Sequence, residues 1–223
     1  MPSQTIPLAM KNRSTHIDLY RGGDTDDSKA NDYFVNCFVN CRYYRIGNMI
    51  LLWGKRSTTY PFQLLVGPEW PCMLVTYTLI IIPSVLFIRN VCITWGPVLV
   101  TLGCISTLAL LCAFSATACS DPGIIFKFPA SDLENLEDQS SSDLIECSIC
   151  NIGRPKYASH CYECGVCISE IDHHCPWTGK CIGKKNLVPF YWFLGTLCFQ
   201  LIFVIGTVIL SVVMNKDIFP ASR

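Results

Sequence analysis

Apolar residues along this chain are gathered into three long blocks with polar stretches between them. The first block covers residues 72–88 and is interrupted by Pro83; the second covers residues 91–119 without a charge. The third, residues 187–214, runs for 28 residues with no Asp, Glu, Lys or Arg. A helix crossing a bilayer needs about 20 apolar residues, so the pattern predicts three membrane-spanning helices, the first only just long enough. Buried core helices are the other reading, but a domain of 223 residues is too small to hide three such segments.

Basic residues give these spans a direction. Lys55 and Arg56, with Arg42 and Arg45 behind them, precede the first span, and the short connector expected around Arg89-Asn90 holds only Arg89. The loop over residues 120–186 carries Lys127, Arg154, Lys156, Lys180, Lys184 and Lys185. Basic residues concentrate on the cytosolic side, which puts the N-terminus and this loop in the cytosol and residues 216–223 on the lumenal side.

Composition agrees with the pattern. Charged residues make up 15% of the chain, against about 25% in soluble domains, and mean hydropathy is +0.36 with no net charge. Fifteen Cys suggest disulfides at first sight, but a cytosolic loop is kept reduced, so metal binding or catalysis is the better expectation. Cys104, Cys112 and Cys198 fall inside spans and read as small packing residues. The polar first 30 residues predict no signal peptide, and Pro2 excludes N-myristoylation.

The domain plan follows. Residues 1–33 read as a disordered tail, and 34–70 as a juxtamembrane segment at the membrane interface, suited by Tyr60, Phe62 and Trp70. Cys37 and Cys41, near Arg42 and Arg45, are either palmitoylated or ordinary surface cysteines. Residues 71–119 hold two spans, and 120–146 form a linker rich in serine and acid. A cysteine-rich domain over 147–190, the third span over 187–214 and a short tail over 215–223 complete the chain.

The cysteine block carries the chemistry. Residues 147–181 contain seven Cys and three His, including Asp172-His173-His174-Cys175. Two-residue gaps, as in Cys147-x2-Cys150 and Cys161-x2-Cys164-x2-Cys167, let paired sulfurs reach one zinc from a tight turn. Zinc takes ligands in fours, so ten candidates fill two sites and leave two groups over. A RING-type arrangement would need a second Cys-x2-Cys pair at its end, and nothing after Cys181 supplies one. Consecutive side chains of an extended segment point in opposite directions. His174 then turns to metal, while His173 and Cys175 face the other way together. A thiol beside an imidazole, preceded by Asp172, is an arrangement of nucleophile, base and orienting acid.

At this point the sequence resembles the DHHC protein S-acyltransferases, or palmitoyltransferases. The resemblance rests on Cys147, Cys150, Arg154-Pro155, His160-Cys161, Cys164, Cys167, Asp172-His173-His174-Cys175-Pro176-Trp177, Cys181, Gly183, Asn186 and Phe190, with Asp121-Pro122-Gly123 after the second span. It implies an α-helical multi-pass membrane protein whose cytosolic cysteine-rich domain folds as short β-hairpins around two structural zinc ions. Cys147, Cys150, His160 and Cys167 would hold one zinc, and Cys161, Cys164, His174 and Cys181 the other. It also implies that Cys175 takes a long-chain acyl group from palmitoyl-CoA and passes it to cysteines of protein substrates, with His173 as base and Asp172 as its orienting partner. An endomembrane or the plasma membrane is the expected location.

Tyr157 replaces a frequent Arg of the family, and Thr178-Gly179-Lys180 a frequent Val-Asn-Asn; both are expected to tune rather than abolish activity. The family usually has a fourth span and a following Thr-Thr-x-Glu motif, and the sequence ends at Arg223 without them. A truncated isoform, an incomplete gene model or a fold that tolerates the loss is therefore expected, and a catalytically impaired zinc-binding membrane adaptor is the alternative function. Nucleic acid is excluded as a partner: Arg154, Lys156 and Lys180 are balanced by Glu163, Glu170 and Asp172 within the block.

Overall fold

The structure, a computed structural model, describes residues 34–36, 44–55, 63–126 and 144–214. Tyr60, Phe62, Cys37, Cys41 and the serine-rich part of the linker lie outside the described residues. The chain begins with an antiparallel sheet of β1 (Phe34–Asn36), β2 (Tyr44–Ile46), β3 (Met49–Lys55) and β4 (Leu64–Val66), in which β3 pairs with each of the others. Met49 and Leu51 stand two apart on β3 and so point to the same face, where both are fully buried. With Ile46 and Leu65 they pack against Val166, Ile168 and the cysteines Cys161, Cys164 and Cys181. Each such side chain contributes about 1.5–3 kcal/mol. This segment is therefore folded onto the cysteine block, where the aromatic content alone predicts a strip lying at the membrane interface.

Three helical runs are long and apolar enough to cross a membrane: Trp70–Trp95, Pro97–Cys119 and Leu187–Val213. The first consists of α1 (Trp70–Phe87), a π-helical turn (Ile88–Cys92) and a short α2 (Ile93–Trp95). It continues straight through Arg89-Asn90, so the connector lies elsewhere than the charge pattern predicts. The break comes at Gly96, whose φ of 101° suits glycine, followed by Pro97 as the first residue of α3 (Pro97–Cys119). Neither Arg nor Asn stops a helix; this Gly-Pro pair does.

Each helix turns a narrow stripe inward. The stripes are Met73, Thr76, Ile80, Ser84 and Phe87 on α1, then Gly103, Ser106, Leu110 and Phe114 on α3. On α4 (Leu187–Val213) the buried positions are Phe193, Gln200, Thr207 and Ser211. Small and hydroxyl-bearing residues at these seams let backbones approach, as membrane helices require. The Phe114 ring bridges the bundle, with centroids 4.7 Å from Tyr77 and 5.1 Å from Phe193. The outward faces stay apolar: Leu79, Ile105 and Ile202 are 61%, 59% and 72% exposed, a surface made for lipid. At the end near Gly96, Trp95 Nε1 donates to Ser211 Oγ at 2.7 Å and ties the first run to α4.

The cysteine block consists of three antiparallel hairpins. They are β5 (Leu144–Cys147) with β6 (Ile152–Pro155), β7 (Ala158–Cys161) with β8 (Val166–Ser169), and β9 (His173–Cys175) with β10 (Lys180–Ile182). They sit where α1 begins, α3 ends and α4 begins. Glu69 N–H donates to Gly179 O at 3.3 Å, and Lys185 Nζ meets Asp121 Oδ2 at 2.7 Å.

Candidate metal and thiol site

Hairpin geometry sorts the ligands. His160 faces Cys167 across the β7–β8 ladder, and the next residue, Cys161, belongs to the opposite face. His174 likewise faces Cys181 across β9–β10. The tight turn after β7 brings Cys164 back, with its N–H 3.4 Å from Cys161 Sγ. One ligand atom each from Cys147, Cys150, His160 and Cys167 converges within 4.8 Å; so do those of Cys161, Cys164, His174 and Cys181.

The spacing inside these groups decides what they fit. Zinc–sulfur bonds of about 2.3 Å in a tetrahedron set sulfurs about 3.8 Å apart. Cys167 Sγ lies 3.8 Å from Cys150 Sγ, and Cys164 Sγ 3.7 Å from Cys181 Sγ, far beyond disulfide length. His174 Nδ1 stands 3.5, 3.5 and 3.4 Å from the sulfurs of Cys161, Cys164 and Cys181. In the first group His160 Nδ1 is 3.0 Å from Cys150 Sγ and 3.9 Å from Cys167 Sγ.

Electrostatics points the same way. Hydrogen bonds from Cys164 and Cys181 pull the Cys161 thiol far down, and its thiolate then helps push Cys164 up to about 12. Burial and the neighbouring Cys147 and Cys150 push Cys167 up as well. Sulfurs this close cannot all ionise without a cation among them, and a divalent ion reverses that balance. Two closed four-ligand sets of three Cys and one His fit structural zinc.

Cys175 and His173 belong to neither set. On β9 they share the face opposite His174. His173 Nδ1 lies 2.7 Å from Asp172 Oδ2, and the His173 ring meets Phe190 edge-on at 5.3 Å between centroids. Cys175 is buried, its carbonyl accepting from the Thr178 hydroxyl at 3.1 Å. The 3-10 turn that follows (Pro176–Thr178) leans on α1, the Thr76 hydroxyl lying 3.0 Å from Trp177 O. Trp177 itself is 58% exposed, so it does not pack into the metal core.

Flanking residues fix this face. Asp121 Oδ1 accepts from Gly123 and Ile124 N–H at 2.8 and 3.0 Å, closing the turn that lays the chain after α3 against β8. Asn186, fully buried, accepts from Gly183 N–H at 2.8 Å and donates to Cys181 O at 3.0 Å. Two residues had no functional signal in the sequence. Glu69 Oε2 lies 2.7 Å from His174 Nε2, a contact spanning 105 residues. Lys180 is fully buried; its Nζ donates to Leu65 O at 2.9 Å and also to Ser120 O, and burial pushes it down to about 8. An acid before an apolar block and a lysine in a basic loop look ordinary until the fold brings them in.

A zinc-binding cysteine block seated on membrane-spanning helices, with a thiol, an imidazole and a carboxylate beside the second metal set, defines the class. The DHHC palmitoyltransferase family model matches residues 141–220. The chain is 41% identical over 96 residues to palmitoyltransferase ZDHHC14 of Danio rerio, covering 43% of this chain and 18% of that protein. It is 32% identical over 194 residues to palmitoyltransferase ZDHHC18-A of the same organism, covering 74% and 41%. To palmitoyltransferase ERF2 of Kluyveromyces lactis it is 32% identical over 146 residues, covering 54% and 41%. The chain belongs to the DHHC family, and it spans less than half the length of each of these relatives.

Proposed function

We propose that the chain is a protein-cysteine S-acyltransferase that moves a long-chain acyl group from palmitoyl-CoA to cysteines of protein substrates. The observation that carries this reading is Cys175 on one strand face with His173, which is held by Asp172 at 2.7 Å, while His174 turns to the metal set. Asp172 accepts a hydrogen bond from Nδ1–H, which leaves Nε2 as the base. That nitrogen takes the Cys175 proton, and the thiolate attacks the acyl carbon. The sulfur–carbon bond to Cys175 forms, the thioester bond to CoA breaks, and the proton leaves on the CoA thiol. A substrate cysteine repeats the exchange in reverse.

Cys147, Cys150, His160 and Cys167 would hold one zinc, and Cys161, Cys164, His174 and Cys181 the other. Both sets are closed by protein ligands, so zinc there would fix the hairpins without offering an open position to substrate. Residues 147–190 then act as a zinc domain displayed at the cytosolic face, an orientation supported by the basic residues of the 120–186 loop. Exposed Trp70, Trp177, Tyr191 and Trp192 suit a headgroup belt at that level of an endomembrane or the plasma membrane. The decisive experiment labels the purified protein with an acyl-CoA and treats it with hydroxylamine. Label that hydroxylamine removes, lost in Cys175→Ser, is the expected result. Equal labelling of C175S would sink the proposal, and a chain that binds zinc without ever forming the acyl-enzyme would be an adaptor instead.

A further inference from the structure

We propose that Glu69 is the outer carboxylate of the second metal set, a positioning residue through which the first membrane helix holds the strand that carries Cys175. The inference rests on reading Cys161, Cys164, His174 and Cys181 as a zinc site. His174 turns Nδ1 toward the three sulfurs and presents Nε2 to Glu69 Oε2 at 2.7 Å. A metal-bound imidazole has one N–H left, and a carboxylate that accepts it fixes the tautomer and the ring plane and makes the ligand more basic.

The rest of Glu69 is anchored just as firmly. Its carbonyl accepts from Cys72 and Met73 N–H at 3.0 and 3.3 Å, so it caps α1, and its own N–H donates to Gly179 O at 3.3 Å. Gly179 lies in the turn between Cys175 and Cys181. One residue thus binds the β9–β10 hairpin twice, through the turn and through His174, from the start of a membrane helix. Cys175 follows His174 directly, so whatever fixes His174 sets where the thiol sits against the bilayer. The first set is built differently: the His160 ring has Tyr162 edge-on at 5.1 Å. Loss of Glu69 therefore bears on one zinc of the two.

The test uses the full chain purified in detergent, with zinc release to excess chelator followed by a metal-binding dye. Wild type is expected to release two equivalents slowly. Glu69→Ala should release one of them about 10–100-fold faster and leave the other at the wild-type rate. Glu69→Gln keeps the shape but not the charge; it should fall between, and it decides the matter if E69A does not fold. Cobalt-loaded E69Q should show altered visible bands from one site only. Wild-type release of both equivalents from E69A and E69Q, or equal acceleration of both, would overturn the inference. His174→Ala separates the two levels: retention of two tight zinc ions in that variant would refute the ligand set itself, whatever Glu69 does.

Discussion

Phe190 meets His173 edge-on, ring centroids 5.3 Å apart, from the first turn of α4. An aromatic edge set against an imidazole limits how far that ring can swing, so the membrane helix steadies the ring proposed as the base for Cys175. Phe190→Ala is expected to slow acyl-enzyme formation about 10-fold or more, since small misplacements of a reacting group are costly. Zinc content should stay at wild type. Rapid-quench labelling with metal analysis checks both halves, and a variant that labels at full rate removes Phe190 from the machinery.

Asp172 acts on the other nitrogen of the same ring, 2.7 Å from Nδ1. Asp172→Asn keeps the size and puts a donor where an acceptor is needed, which disfavours the tautomer with a free Nε2. The Asp172 side chain is 50% exposed, so water partly replaces what is lost. The expected fall in acyl-enzyme rate is therefore about 10–100-fold, short of the roughly 10⁴ seen when such an acid is buried. Single-turnover rates of D172N and D172A measure it, with D172N no better than D172A.

Much of this site is legible in the chain because its signals are local. A 28-residue run without charge announces α4, and Cys-x2-Cys spacing with alternating strand faces separates His174 from His173 and Cys175. The β1–β4 sheet is not legible. Its strands are mostly three residues long, and Met49-Ile50-Leu51-Leu52-Trp53 is apolar throughout, so the inward Met49 and Leu51 do not stand out. The end of the first helical run is misjudged for a different reason: Arg89 looks like an edge, yet backbone chemistry at Gly96-Pro97 decides the break. Glu69 and Lys180 act across 105 and 115 residues, and no periodicity reports contacts at that range.

Gly183 is required by space. A Cβ there would come within 2.6 Å of Pro122 O and 2.8 Å of Ile168 Cγ2, in the crowded crossing between the turn after α3 and β8. The Pro122 carbonyl also accepts from Lys185 N–H at 3.4 Å, so neither side can retreat without breaking that crossing. Gly183→Ala should destabilise the folded chain by about 1–3 kcal/mol, the usual cost of overpacking. A lower thermal midpoint in detergent checks this; an unchanged midpoint would show that the crossing opens freely.

Lys180 joins Leu65 on β4 to Ser120 at the end of α3 by donating to both carbonyls from a fully buried position. Cation and helix C-terminus suit one another at Ser120, and Leu65 is fully buried. Lys180→Met keeps the volume and orphans the acceptors, which costs about 1–3 kcal/mol for each buried group left unpaired. Lys180→Ala adds a cavity and should be worse. Thermal unfolding of the two variants, ranked wild type, K180M, K180A, tests the claim. A K180M chain as stable as wild type would mean that this buried charge contributes nothing net.

Metal removal tests how far the fold depends on the two ligand sets. The other buried apolar side chains of this block, Ile152, Ala158, Val166, Ile168 and Ile182, are outnumbered by its seven buried cysteines, and the β1–β4 sheet packs directly on Cys161, Cys164 and Cys181. Structural zinc supplies about 10–16 kcal/mol in small zinc-binding peptides, more than so thin a core can replace. A strong chelator should therefore remove two zinc ions and expose both the hairpins and β3 to hydrogen exchange, while the helices at 97–119 and 187–213 stay protected. Ligand sulfurs must shed protons to bind, so lowering the pH should speed the release and raising it should slow it. Cys164, whose thiol is pushed up to about 12 by Cys161 without a cation, regains its proton readily once the metal leaves. Hydrogen-exchange mass spectrometry with metal counting reads both outcomes. Hairpins that stay protected after loss of both ions would show that packing alone holds the block together.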